Sequence, residues 1–97
     1  MKTEEILKLL KENKFKSNSF ENMTWVTQEI WDQLEEVYLE DTNPRRDYLG
    51  IKTVYKNNFD GKYFFVEEYA DDMNSEIYDF KEVKPVEKTV IIYEVIN

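Results

Sequence analysis

Four carboxylates in the first half of the chain recur at the spacing of one face of an α-helix. They are separated by three, four and four residues: Glu29, Asp32, Glu36 and Glu40. At about 1.5 Å per residue the row would cover roughly 16 Å, with neighbouring carboxylates about 5–6 Å apart. Successive phosphates on a nucleic-acid strand stand at a similar separation, about 6–7 Å, for a rise of ~3.4 Å per nucleotide. The row therefore has two interpretations. It could mimic phosphates and occupy the lysine and arginine sites of a nucleic-acid-binding protein, or it could be an ordinary solvated helix face.

Countercharge is missing from this part of the chain. Residues 28–44 contain no lysine or arginine, whereas a helix built only for stability would place a cation four residues after each glutamate. The missing cations favour the binding interpretation.

A second group of acids, mixed with tyrosine, lies in the second half of the chain. Like charges that face each other across a sheet destabilise it. One interpretation is solubility and protection of a sheet edge. The other is a surface for a basic protein, where carboxylates attract and aromatic rings supply contact area. The candidate residues are Glu67, Glu68, Tyr69, Asp71, Asp72, Glu76, Tyr78 and Asp79.

The same stretch matches some positions of a calcium-binding loop but not others. Asp72, Asn74 and Glu76 match the first, third and fifth positions of an EF-hand. Ile77 then stands where glycine is needed, and Val83 where a bidentate glutamate is needed. We expect no metal site and no other cofactor.

Catalytic residue types are scarce. The chain has no histidine and no cysteine, which removes the usual general base near neutral pH and the thiolate nucleophile. Its only glycines are Gly50 and Gly61, so it has no glycine-rich phosphate loop. The sequence predicts that this protein is not an enzyme.

Charge and composition favour a positively charged protein partner. The formal net charge is −8, so direct contact with nucleic acid or an anionic membrane is disfavoured. No apolar run approaches the ~20 residues that span a bilayer, and Glu4 and Glu5 stand where a signal peptide would be basic. We expect a cytoplasmic protein whose residues 1–97 form one small acidic domain, and we leave its oligomeric state open.

Two helices should come first. Thr3 can cap one that ends near Asn13. Thr24 or Thr27 can cap another that runs to about Glu40, because apolar residues from position 26 to 37 recur at helical spacing. Pro44 then ends it.

Period-two patterns take over after Tyr48. They predict strands at about 49–57, 62–69, 76–84 and 88–96, with an Asp-Gly turn at Asp60 joining the first two. The sequence thus predicts an α+β fold of order ααββββ, with two N-terminal helices packed on one face of a four-stranded antiparallel sheet.

The charge pattern leads to a functional hypothesis. We expect a binding protein that inhibits a basic, nucleic-acid-handling partner by occupying its nucleic-acid site. In size, charge and lack of catalytic residue types the chain is similar to small acidic inhibitors from phages and mobile elements, including anti-CRISPR and anti-restriction proteins and nuclease inhibitors. One alternative is an immunity or antitoxin protein that neutralises a toxin. Another is a structural or adaptor subunit whose charge serves only solubility.

Overall fold

A computed structural model of the chain describes residues 1–13, 19–41, 49–70, 75–86 and 93–96. It contains one helix of eleven residues, one of six residues and four strands. In chain order the elements are α1 Thr3–Asn13, α2 Gln28–Gln33, β1 Leu34–Asp41, β2 Leu49–Asn57, β3 Lys62–Ala70 and β4 Ser75–Val83.

The first predicted helix is confirmed, but its N-terminus is held differently. Thr3 is the first helical residue rather than the cap, and it is fully buried. Asp60 supplies the cap from the β2–β3 turn. Its carboxylate accepts the Thr3 backbone N–H at 2.7 Å and the Thr3 hydroxyl at 3.0 Å. A residue 57 positions away therefore satisfies one of the N–H groups that every helix start leaves without a partner.

A polar network fastens the start of the chain to the same hairpin. The buried Asn57 donates through Nδ2 to the Met1 carbonyl and to the Thr3 hydroxyl, at 3.0 and 3.1 Å. Gln33 accepts from the Met1 ammonium at 3.0 Å and donates to the Met1 carbonyl. These bonds keep α1 in one position, because a buried amide that lost its partners would cost free energy.

The second predicted helix is wrong, and so is the architecture of two helices packed on the sheet. The helix begins after Thr27, as one of the predicted caps, but ends at Gln33, and Leu34 already has an extended backbone. Residues 34–41 form the edge strand β1 instead. A helix through these residues would have brought its like charges together at i,i+4 spacing and near its negative end.

The strand gives the same acids opposite neighbours. Glu35 lies across from Lys56, and Glu40 lies across from Lys52, both on β2. Opposite charges at directly paired positions stabilise a sheet. The countercharge missing from residues 28–44 is therefore supplied by the neighbouring strand.

The sheet is antiparallel, as predicted, with the order β1-β2-β3-β4. The predicted strands at 49–57, 62–69 and 76–84 correspond to β2, β3 and β4. Gly61 has a φ of +74° in the β2–β3 turn, where a side chain would be strained. Val37 on β1 and Tyr78 on β4 sit at register shifts, so each strand carries one bulge residue.

Only the last residues of the fourth predicted strand fall within the described part of the chain. Residues 88–92 lie outside the described part of the chain, and residues 93–96 have no regular secondary structure. Among the described residues the sheet has four strands, and one of them is β1, which the sequence had predicted to be helical.

The core lies between one face of the sheet and the helical segment. Phe20 is fully buried at its centre, and its ring contacts Trp25, Trp31, Tyr55 and Phe64 at centroid distances of 5.2–6.1 Å. The other core residues are Ile6, Leu10, Met23, Val26, Ile30, Val66 and Ile77. The shortest dimension of the molecule, 19 Å, matches one sheet and one helical layer of about 10 Å each.

Candidate functional site

The sheet has one face toward the helical layer and one face away from it. Side chains alternate between the faces of a strand, and directly paired residues share a face. On β3, Phe64 and Val66 point into the core, so Phe65 and Glu67 point to the opposite side. We call this opposite side the open face, because no element within the described residues packs over it.

Five of the predicted binding residues come together at one end of the open face. We call them the acid–tyrosine surface: Glu67, Tyr69, Glu76, Tyr78 and Asp79. The Tyr69 hydroxyl donates to Glu67 Oε2 at 2.6 Å. The rings of Tyr69 and Tyr78 meet edge to face, with centroids 4.8 Å apart and planes at 84°. Both contacts hold the aromatic rings in place beside the carboxylates.

This surface concentrates negative charge. Glu67 and Asp79 are directly paired across β3 and β4, and Tyr69 is paired with Glu76. Like charges at paired positions are unfavourable. The Lys81 ammonium lies 3.9 Å from Asp79, but the Lys81 side chain is largely exposed and that of Asp79 is partly exposed. Such surface ion pairs contribute little. Lys52 faces Glu67 from β2, with its ammonium 4.2 Å from the centre of the Phe65 ring.

The predicted acidic row on the second helix does not exist as a row. Glu29 and Asp32 are exposed on the short α2, where Asp32 accepts a hydrogen bond from Gln28. Glu36 pairs with Tyr55 and so faces the helical layer, whereas Glu40 pairs with Lys52 and faces the open side. The helical phosphate spacing is lost, because the helix ends between the second and third of these acids.

The remaining predicted residue within the described chain, Glu68, faces the helical layer. Burial is the largest influence on its carboxyl and raises the pKa; a hydrogen bond from the Phe20 N–H opposes this, and nearby Glu21 reinforces it. Burial, followed by the charges of Glu68 and Glu36, likewise raises the pKa of the Tyr55 hydroxyl. Asp71 and Asp72, also predicted, lie outside the described residues.

A second feature of the open face was missed by the sequence analysis. An apolar groove of about 480 Å³ crosses all four strands beside the acid–tyrosine surface. Its apolar lining includes Tyr38, Val54, Tyr63, Phe65 and Val83. The sequence did contain a sign of this groove: two adjacent apolar residues occur in β2, at Val54-Tyr55, and in β3, at Phe64-Phe65. Adjacent residues of a strand lie on opposite faces, so these pairs make both faces of the sheet apolar.

Metal and membrane chemistry receive no support from the described residues. Among them, no three acidic side chains are grouped to hold a metal ion. None of the helices in this part of the chain combines the length and apolar character that crossing a lipid bilayer requires.

Comparison of the chain with protein-family models, with curated proteins and with solved structures found no match.

Proposed function

We propose that this protein is a non-enzymatic binding protein that uses the acid–tyrosine surface to bind a basic, nucleic-acid-handling protein and inhibits it by occupying its nucleic-acid site. The observation that supports this proposal is the cluster of Glu67, Glu76 and Asp79 around two tyrosines that are held edge to face. Carboxylates attract lysine and arginine from a distance, and tyrosine rings supply rigid contact area once the partner has docked.

The electrostatic repulsion within the cluster also supports a binding role. Pairing Glu67 with Asp79 across two strands weakens the isolated sheet. A partner's lysine or arginine placed between the two carboxylates would turn this repulsion into attraction. The same arrangement would serve an immunity protein that covers a nucleic-acid-cleaving toxin, because the two hypotheses differ only in the identity of the basic partner.

The test compares two neutralised variants of equal net charge. E67Q/E76Q/D79N removes three carboxylates from the acid–tyrosine surface, and E4Q/E5Q/E12Q removes three from the exposed side of α1. Binding is measured by biolayer interferometry against a panel of purified DNA-binding proteins and nucleases, including toxin nucleases, at low and high ionic strength.

We expect the first variant to weaken binding at least tenfold and the α1 variant to have a much smaller effect, through net charge alone. Bound panel members should lose their affinity for a labelled DNA duplex. Equal losses for the two variants would show that only overall charge matters, and continued DNA binding by the complex would exclude inhibition by site occupancy.

A further inference from the structure

The outer edge of β1 has no neighbouring strand in the described part of the chain, where β1 pairs only with β2. Residues 35–41 are all exposed, and β1 is the only described strand without a buried residue. A sheet edge presents a row of backbone N–H and C=O groups that an extended segment of another chain can pair with. The edge of β1 is therefore a candidate for strand addition.

The centre of this edge strand is apolar. Val37, Tyr38 and Leu39 follow one another and are 45 %, 55 % and 53 % exposed. Single apolar residues on a surface are ordinary, but an exposed apolar run on an edge strand favours association with another strand. The centre of β1 therefore suits a segment that is itself apolar at its centre.

Acids lie on both sides of the apolar centre. Lys52 and Lys56 of β2 offset only two of the four acids of β1, so the edge keeps a net negative charge. A bulge at Val37 separates one pair of acids from the other, which leaves each pair on its own stretch of paired backbone. The four acids are Glu35, Glu36, Glu40 and Asp41.

These acids make a second copy of the chain an unfavourable occupant. Two copies of β1 that paired antiparallel around Tyr38 would place Glu36 opposite Glu40 and Glu35 opposite Asp41. Like charges at opposite positions destabilise a sheet, and the net charge of −8 on each copy adds to the repulsion. A strand with lysine or arginine at these positions would instead gain from every such pair.

We propose that the outer edge of β1 binds an extended segment of a basic protein as a fifth strand of the sheet. The segment has an apolar centre between lysines or arginines. Backbone hydrogen bonds hold it, and the side chains select it. This inference goes beyond the proposed function, because it requires neither the acid–tyrosine surface on β3 and β4 nor the occupation of a nucleic-acid site.

The first experiment uses a short synthetic peptide that has two lysines on each side of a Val-Thr-Val centre. The peptide is titrated into the ¹⁵N-labelled protein at low ionic strength. It should shift the amide resonances of residues 35–40 and give NOEs between its own backbone and that of β1. The matched control peptide has the same side chains but N-methyl groups on its three central backbone amides, and it should bind about tenfold more weakly because it has lost those donors.

The second experiment compares two variants of equal net charge. E35Q/E36Q/E40Q should weaken binding of the unmethylated peptide about tenfold, whereas E67Q/E76Q/D79N should have a much smaller effect. A larger loss in the second variant would place the peptide on the acid–tyrosine surface. It would overturn strand addition at β1 and leave the proposed function standing.

Three further results would overturn the proposal. One is equal binding of the methylated and unmethylated peptides, because lysines would then associate with the acids without backbone pairing. Another is the absence of binding at millimolar peptide. The third is a free protein in which the outer edge of β1 already shows NOEs to other residues of its own chain or to a second copy.

Discussion

Single carboxylates in this protein have opposite effects on stability, depending on what surrounds them. Asp60 accepts hydrogen bonds at the start of α1, and Glu68 is half-buried beneath Phe20. Hydrogen bonds to the charged form lower a carboxyl pKa, and burial raises it. The two residues therefore give the protein two pH dependences of opposite sign, and each can be measured separately.

Asp60→Ala should destabilise the protein by about 1 kcal/mol at neutral pH, because the start of α1 loses the carboxylate that accepts hydrogen bonds from Thr3. Burial alone would raise the pKa of Asp60, but the hydrogen bonds from Thr3 and Lys62 outweigh it and lower the pKa. This stabilisation is present above the unfolded pKa of about 4 and is lost as pH falls through the lower folded pKa. Urea unfolding at neutral pH and near pH 3 should show the difference from wild type shrinking with acid. A difference that grows with acid would contradict the assignment.

Glu68→Gln should raise Tm at neutral pH. The amide keeps an acceptor for the Phe20 N–H but carries no charge to desolvate. Because burial raises the folded pKa of Glu68, its favourable contribution is present below the unfolded pKa and is lost as pH rises through the folded pKa. The advantage of the glutamine should therefore disappear near pH 4. Glu68→Ala is the control, since it removes the acceptor and should destabilise at both pH values.

Among the elements, β1 shows how a neighbouring strand can reverse a local preference. Its residues Leu34, Val37 and Tyr38 fit a helical spacing, and its acids have no cation within helical reach. Pairing with β2 places Lys56 opposite Glu35 and Lys52 opposite Glu40. The extended conformation of β1 is therefore favoured by contacts with residues of β2, which are distant in the sequence.

Lys56→Glu should destabilise the protein by about 0.5–1 kcal/mol, because a like charge then faces Glu35. The charge-swapped variant E35K/K56E should recover most of this loss, and a double-mutant cycle from urea unfolding gives the coupling energy. If the swap recovers nothing, β1 is not held to β2 by this pair of charges. The matched control is Lys84→Glu, which makes the same change in net charge at an exposed position after the end of β4.

For the whole molecule, the net charge of −8 lowers the stability of the folded state, and added salt should reduce this effect. Repulsion among the carboxylates destabilises the compact state, and counterions screen it over about 10 Å at 0.1 M ionic strength. The acid–tyrosine surface contributes to this repulsion, because its carboxylates are grouped on one side of the sheet.

Adding NaCl up to about 0.2 M at neutral pH should therefore raise Tm, a range in which screening changes strongly. The control is the same titration near the isoelectric point of about 4.5, where the net repulsion vanishes and Tm should hardly respond. A fall in Tm with salt at neutral pH would show that attractive pairs outweigh the repulsion.

Local sequence determined α1 and the β2–β3–β4 meander, because helical spacing, alternation and an Asp-Gly turn act over a few residues. It also determined that acids and tyrosines would cluster near residues 67–79, since those positions are close along the chain. Tertiary structure alone decided that residues 34–41 pair with β2 and that Asp60 caps α1. It also decided which of the two neighbours Glu67 and Glu68 faces the helical layer. Each of these depends on contacts between distant residues, whose charges and hydrogen bonds outweigh the weaker preference of the local sequence.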